Sequence, residues 1–211
     1  GKRRNPKVNM PIAIISGSHR ADSQSRRVAN YLAARLKALD KTTTPDIIDL
    51  AGNPLPLWDE SVWEADSALS QQWQPYAKRL QAADGLVVIS PEWAGMAAPG
   101  LKNFLLFASA ADVGHKPALI VTVSAARDSA FPVNELRTSG YKNNKLLYIP
   151  EHLIVRDVAT IFAGPEPSGQ DDAYLRERAD FALNILLAYS VALGPVRQSG
   201  VTAHKKFANG M

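Results

Sequence analysis

The chain has 211 residues, of which 46% are apolar and 21% charged, and a formal net charge of +4. That length fits one domain with a core large enough to fold without staples. With no cysteine, disulfides, thiolate metal sites and thiol redox chemistry are excluded, and a cytoplasmic setting is expected.

Much of the positive charge sits at the ends, in Lys2, Arg3, Arg4, Lys7, Lys205 and Lys206. No aromatic residues interleave with these charges, so they read as solvated tails and not as a nucleic-acid surface. No apolar run reads as long enough for a bilayer, so no membrane contact is expected. The apolar stretch Ile12 to Ile15 is too short for a signal-peptide core and breaks at Gly17. The expected organisation is a basic N-terminal tail over 1–10, one α/β domain over 11–194 and a C-terminal tail over 195–211.

Residues 11–16 (PIAIIS) predict a short buried strand, followed by a polar loop over 17–25. Val28, Leu32, Leu36 and Leu39 recur at helical spacing and predict a helix ending near Asp40. Residues 46–50 predict a second strand, and a proline-containing loop runs on through Trp58. Leu69, Trp73, Tyr76 and Leu80 predict a helix over 67–83, which Pro75 should kink or divide. The unbroken apolar run over 85–90 predicts a strand buried on both faces. A loop follows over 91–99, then a helix over 100–111. Residues 117–123 predict another buried strand, 124–129 a loop and 131–140 a short helix. Either 145–149 or 153–155 supplies the last strand. A long helix over 171–193 should stop at Gly194-Pro195.

Strands alternating with helices, and apolar on both sides, point to a parallel sheet between two helical layers. Such sheets bind ligands beyond the carboxyl ends of their strands, where the strand order reverses. The loops after Ser16, Ser90 and Val123 are therefore the ones that matter.

The first of these holds Ser18, Arg20, Ser23 and Ser25 just before a helix. Helix N-termini carry unpaired N–H groups and a positive dipole end, and hydroxyls with a guanidinium beside them suit a phosphate monoester. The glycine patterns of dinucleotide and nucleoside-triphosphate loops are absent. The alternative is that Ser23 or Ser25 only caps the helix and Arg20 is solvated. His19 in the same loop should face solvent. The second loop, SPEWAGMAAPG over 90–100, is stiffened by Pro91, Gly95 and Pro99. Trp93 and Met96 offer surface to a flat ring, and N–H groups near Ala94 and Gly95 could meet ring heteroatoms. Glu92 is expected to brace this loop through a hydrogen bond and not to act as an acid. The four histidines have no metal-ligand spacing, and no protein nucleophile is evident.

Three segments in order, GSHRADSQS over 17–25, ADGLVVISPEW over 83–93 and PGLKN over 99–103, resemble the NADPH-dependent FMN reductase family, which includes azo-, quinone- and chromate-reducing members and arsenical-resistance flavoproteins. The resemblance spans roughly Ile12 to Val155. It implies a flavodoxin-like three-layer sandwich with a five-stranded parallel sheet in order 2-1-3-4-5. A homodimer or homotetramer is also implied. The FMN phosphate would lie against Ser18, Arg20, Ser23 and Ser25, and the isoalloxazine over Pro91, Glu92, Trp93, Ala94 and Gly95. Where the family commonly has a glycine pair, this chain reads Ser124-Ala-Ala-Arg127, which puts Ser124 and Arg127 beside the flavin edge or a nicotinamide nucleotide.

The implied activity is transfer of hydride from NADPH or NADH to bound FMN, then reduction of a quinone, azo compound, metal oxyanion or free flavin. A flavodoxin-like electron carrier or flavin-binding sensor, and a relative that has lost FMN, are the competing readings.

Overall fold

In a computed structural model, residues 9–211 are described; of the N-terminal tail expected over 1–10, residues 1–8 lie outside them, and Met10 already belongs to the first strand. Five parallel strands, β1 (Met10–Ser16), β2 (Thr43–Asp49), β3 (Gly85–Trp93), β5 (Pro117–Val123) and β6 (Leu147–Val155), form the order β2-β1-β3-β5-β6. The two-residue β4 (Met96–Ala97) pairs antiparallel with the end of β3. The flavodoxin-like order 2-1-3-4-5 is thus present among the parallel strands. The order reverses at β1, because β2 lies on one side of it and β3 on the other. Register brings the ends of three strands together: Ser16 pairs with Ile89, and Pro91 with Val123.

Alternation along the strands feeds two cores. Ile12, Ile14, Val87 and Ile89 pack with Val28, Leu32 and Leu36 of α1 (Gln24–Leu39) and with Leu183 and Leu186 of α6 (Gln170–Gln198). Ala13, Ile15, Leu86 and Val88 pack on the other face. There they meet Trp73 and Leu80 of α2 (Ala68–Ala82), Phe104 of α3 (Pro99–Phe107) and Leu136 of α5 (Ala130–Thr138). A sheet buried on both sides explains the unbroken apolar runs of its central strands.

Several boundaries differ from expectation, each for a physical reason. Strand β2 starts three residues early and contains Pro45; it is an edge strand, where a missing N–H breaks no ladder. The helix expected over 100–111 ends at Phe107, and α4 (Ala110–Val113) starts anew. Ser109 and Asp112 form a capping box there, with Ser109 N–H donating to Asp112 Oδ2 at 2.9 Å. Pro75 does not divide α2. Nor do Gly194 and Pro195 stop α6: Ser199 N–H donates to Pro195 O at 2.9 Å, and Arg197 anchors the last turn to His115 O (3.1 Å) and Asp84 Oδ1 (3.4 Å). Helix α6 is also long and apolar enough to cross a membrane by length and composition, contrary to the sequence reading. Its inner stripe, Ala179, Ala182, Leu183 and Leu186, is completely buried in the sheet-facing core.

The two candidate last strands are one. Between the pairs Ala118–Tyr148 and Ile120–His152 strand β6 bulges. Arg137 of α5 covers the bulge, donating to Ile149 O (2.8 Å), Pro150 O (2.9 Å) and Glu151 O (3.3 Å). Arg137→Ala strips three carbonyls of one shared donor group and should lower stability by about 1–2 kcal/mol, read as a shift in urea midpoint.

Candidate functional site

The site grows from the three carboxyl-edge loops. Gly17 leaves β1 so close to β3 that its N–H bonds Ile89 O at 2.9 Å, and a Cβ there would lie 2.3 Å from the same oxygen. No other residue type lets the loop leave at this point. The loop then wraps the start of α1. Ser23 is the N-cap, its Oγ accepting from Arg26 N–H at 3.0 Å, so the capping alternative holds for Ser23. Ser18 Oγ accepts from Arg20 N–H at 3.3 Å. In both serines the oxygen is tied to backbone while the hydroxyl proton stays free to donate. Ser25 is buried, and its hydroxyl makes no hydrogen bond among the described residues; the same is true of the Gln24 and Ser25 N–H groups. Arg20 is exposed and carries no ion pair among the described residues.

The second loop is more ordered than expected. Strand β3 runs on through Trp93 and turns back into β4, with Ala94 at φ 52° and Gly95 at φ 71°. Two positive φ angles make the tight type I′ hairpin. Its base is pinned by Ser90, whose Oγ accepts from Ala98 N–H (3.0 Å) and donates to Pro91 O (2.9 Å). Its two strands are held by carboxylates. Glu92 accepts from Ser129 N–H at the head of α5, the bracing role expected of it. Glu135 of α5 accepts from Ala97 N–H and pairs with Lys102 of α3 at 2.6 Å. Burial works to raise the Glu135 carboxyl, but Lys102 and the Ala97 N–H outweigh it and hold it below the usual 4.5. Ala94 is the weak point of the hairpin, since a left-handed conformation suits Asn better than Ala. Ala94→Asn should raise stability by about 1 kcal/mol, measured by urea unfolding.

His19 corrects the sequence reading. Its ring does not stand in solvent but meets Trp93 edge-on, with centroids 4.8 Å apart. That contact joins the first loop to the second. Asn103 fixes the neighbouring loop after β2, accepting from Trp58 N–H and donating to Pro56 O, both at 2.8 Å. Ser90 and Asn103 were legible only as motif members, and Glu135 was not singled out at all. Their partners lie on other elements, which no local pattern discloses.

In the third loop Ser124 Oγ accepts from Ala126 N–H at 3.1 Å, again leaving its proton free. Neither Ala125 nor Ala126 has a positive φ, so alanine stands here without backbone strain. Arg156 Nε donates to Arg127 O and Asp128 O, which shapes the loop. The Arg127 side chain is exposed and has no ion pair among the described residues. The structure therefore brings Ser18, Arg20, Ser23 and Ser25 to one helix end. Pro91, Glu92, Trp93, Ala94 and Gly95 form the adjoining strand end and turn, and Ser124 and Arg127 lie beyond the neighbouring strand. Among the described residues no cluster of His, Asp and Glu is placed to hold a metal.

The comparisons with known proteins bear on the family and the fold. The family model described as NADPH-dependent FMN reductase matches residues 10–160. An NADPH azoreductase from Bacillus sp. (strain OY1-2) is 29% identical over 115 residues, 54% of this chain and 59% of that protein, so the match spans little more than half of that relative. A 2-hydroxy-1,4-benzoquinone reductase from Burkholderia sp is 31% identical over 169 residues, 77% of this chain and 87% of that one. Among solved structures, a flavoenzyme NAD(P)H:(acceptor) oxidoreductase from Paracoccus denitrificans has a TM-score of 0.65 at 16% identity, covering 88% of this chain and 98% of the other. An NADH:FMN oxidoreductase in its apo form has a TM-score of 0.66 at 17% identity, covering 85% and 89%. At such identities these two structures show a shared fold. The matched family model, the quinone-reductase relative and the fold together show that this chain belongs to the family of NADPH-dependent FMN reductases, oxidoreductases that work with FMN and NAD(P)H.

Proposed function

We propose that this chain holds FMN across its three carboxyl-edge loops and reduces a small-molecule acceptor with NADPH or NADH as donor. The acceptor class is a quinone, azo compound, metal oxyanion or free flavin. The observation that carries the reading is the head of α1. Among the described residues, the N–H groups of Gln24 and Ser25, the Ser25 hydroxyl and the Arg20 guanidinium have no partner, and Ser18 and Ser23 keep donor protons, all within one loop and the first turn of α1. Such a set fits a phosphate monoester dianion and leaves none of its donors buried without use.

When bound, FMN supplies the hydride and electron relay. The chain's own residues bind and orient it. Gly17 brings the backbone close to the phosphate position. The Pro91–Gly95 hairpin, clamped by Glu92 and Glu135, presents a fixed edge to a planar ring. Ser124 can donate a proton to an oxygen or nitrogen at the ring margin, and Arg127 adds a positive charge that favours an anionic reduced ring or a nicotinamide nucleotide. Self-association as a dimer or tetramer belongs to the same reading. It is supported by Trp63 and Leu106, large apolar side chains left 76% and 62% exposed.

Anaerobic titration tests the proposal. The purified protein should absorb in the yellow flavin band after FMN uptake and bleach on addition of NADPH or NADH. A well-folded preparation that takes up no FMN at saturating concentration overturns it.

A further inference from the structure

Beside the hairpin lies a cleft of about 320 Å³ between the first loop, the loop after β2 and the head of α3. Its walls are apolar: Leu50, Leu55, Leu57, Pro99 and Phe104. His19 lines it on one side and touches Trp93. Through His19 the cleft therefore adjoins the hairpin proposed to carry the flavin ring. Two polar side chains at its mouth make no hydrogen bond among the described residues, the half-buried His19 imidazole and the exposed Asn53 carboxamide. Asn53 is held at φ 51°, with its Oδ1 3.2 Å from where a Cβ on Gly100 would stand. Gly100 thus leaves room for the Asn53 side chain at the cleft, and a larger side chain there would displace it.

A cleft with Leu50, Leu55 and Phe104 at its base, an exposed Leu57 at its rim and two polar groups at its mouth is the chemistry of an uncharged aromatic ring that bears a hydrogen-bonding substituent. The volume lies at the lower end of small-molecule pockets, roughly 300–1,000 Å³, which suits one or two rings and not a nucleotide. The walls carry no cation, so an anionic headgroup would be desolvated there without a partner.

We infer that this cleft is a specificity subsite for the second ring of a two-ring acceptor. The inference rests on the proposed flavin reading for its link to turnover. The reacting ring lies on the hairpin side of the His19–Trp93 contact, and the distal ring enters the cleft. Leu55, Leu57, Pro99 and Phe104 bury its faces, and His19 or Asn53 bonds its substituent. A single-ring acceptor does not use the subsite. Specificity of this kind is a difference in binding between two acceptors, and one buried ring is worth at least tenfold.

The test uses two variants and two probes. Gly100→Leu puts a larger side chain at the cleft, displacing that of Asn53, from a helical position with ordinary φ. Asn53→Asp keeps a residue that tolerates φ 51° and removes the amide donor. The first probe is 4-hydroxyazobenzene, titrated into the FMN-free protein and read by quenching of tryptophan fluorescence. The second measurement is kcat/KM for 4-hydroxyazobenzene relative to 1,4-benzoquinone in the FMN-loaded protein. Gly100→Leu should weaken azobenzene binding at least tenfold and lower the ratio by the same factor, with FMN uptake and benzoquinone turnover unchanged. Asn53→Asp should lower both three- to tenfold. Unchanged binding and an unchanged ratio in Gly100→Leu, with the fold intact by circular dichroism, overturn the subsite. Absence of FMN uptake in the unmutated chain overturns the flavin reading instead, and the fluorescence titration still reads the cleft.

Discussion

Arg20→Ala combined with Ser23→Ala should weaken FMN binding by about 10²–10³-fold while the protein stays folded. Each lost bond to a phosphate dianion is charge-assisted and is worth about 1.5–3 kcal/mol, and every 1.4 kcal/mol is tenfold in affinity. Arg20 is exposed and its side chain makes no hydrogen bond or ion pair among the described residues, so its removal is expected to act on the ligand. Ser23 also caps α1, so its loss should cost about 1 kcal/mol of stability as well. Equilibrium FMN titration, with a urea midpoint on the same samples, separates the two effects. The single variant Arg20→Ala, which leaves the cap untouched, should alone account for at least tenfold. Full FMN affinity in the double variant would place the phosphate elsewhere.

The second large effect lies away from the site. Asp172 of α6 is 1% exposed and accepts three bonds, from Phe162 N–H (2.9 Å), Ser168 N–H (2.9 Å) and Arg176 Nε (3.1 Å). These hold the segment between β6 and α6, in which Phe162 takes φ 56° and stacks on Tyr31 with centroids 3.9 Å apart. Arg27 of α1 grips the same segment through Val158 O and Ile161 O. Asp172→Ala leaves two backbone N–H groups and the Arg176 Nε–H without their acceptor, while the guanidinium keeps the carbonyls of Gly164, Pro165 and Glu166, at a cost of about 2–4 kcal/mol. Burial works to raise the Asp172 carboxyl, but its three donors outweigh it and hold it below 3.8. A carboxyl lowered on folding stabilises fully above its unfolded value and loses that contribution as pH falls through the native one. The stability gap between the unmutated chain and Asp172→Asn should therefore be full at pH 7 and shrink below about pH 4. A gap that does not change with pH would show that the carboxylate charge plays no part.

The strands and helices were legible because the evidence for them is local and repeated, whereas the strand order came only with the family resemblance. Short continuous apolar runs such as 85–90 and 117–123, rich in Val and Ile, read as strands buried on both faces, and they are. The spacing of Val28, Leu32 and Leu36 marks a helix with one covered side. The stops were less legible. Gly194-Pro195 is a stop signal by propensity, yet the helix passes through it because Arg197 finds acceptors on Asp84 and His115, more than eighty residues away in sequence. His19 was misjudged for the same reason, since its neighbour Trp93 is far along the chain.

Taken alone, the amino-acid order determined a parallel α/β sandwich and which three loops gather at its ligand edge, because hydrophobic period and strand alternation are properties of neighbouring residues. It also placed three serines and an arginine at a helix start, the donor set on which the proposed phosphate site rests. Tertiary structure alone decided which serines spend their oxygens on backbone, that Glu92 and Glu135 clamp the hairpin, and that His19 divides a cleft from a turn. Each of these depends on groups brought within a few ångströms by closure of the sheet. Hydrogen bonds and ring contacts act only over such distances, so no reading of sequence neighbours could supply them.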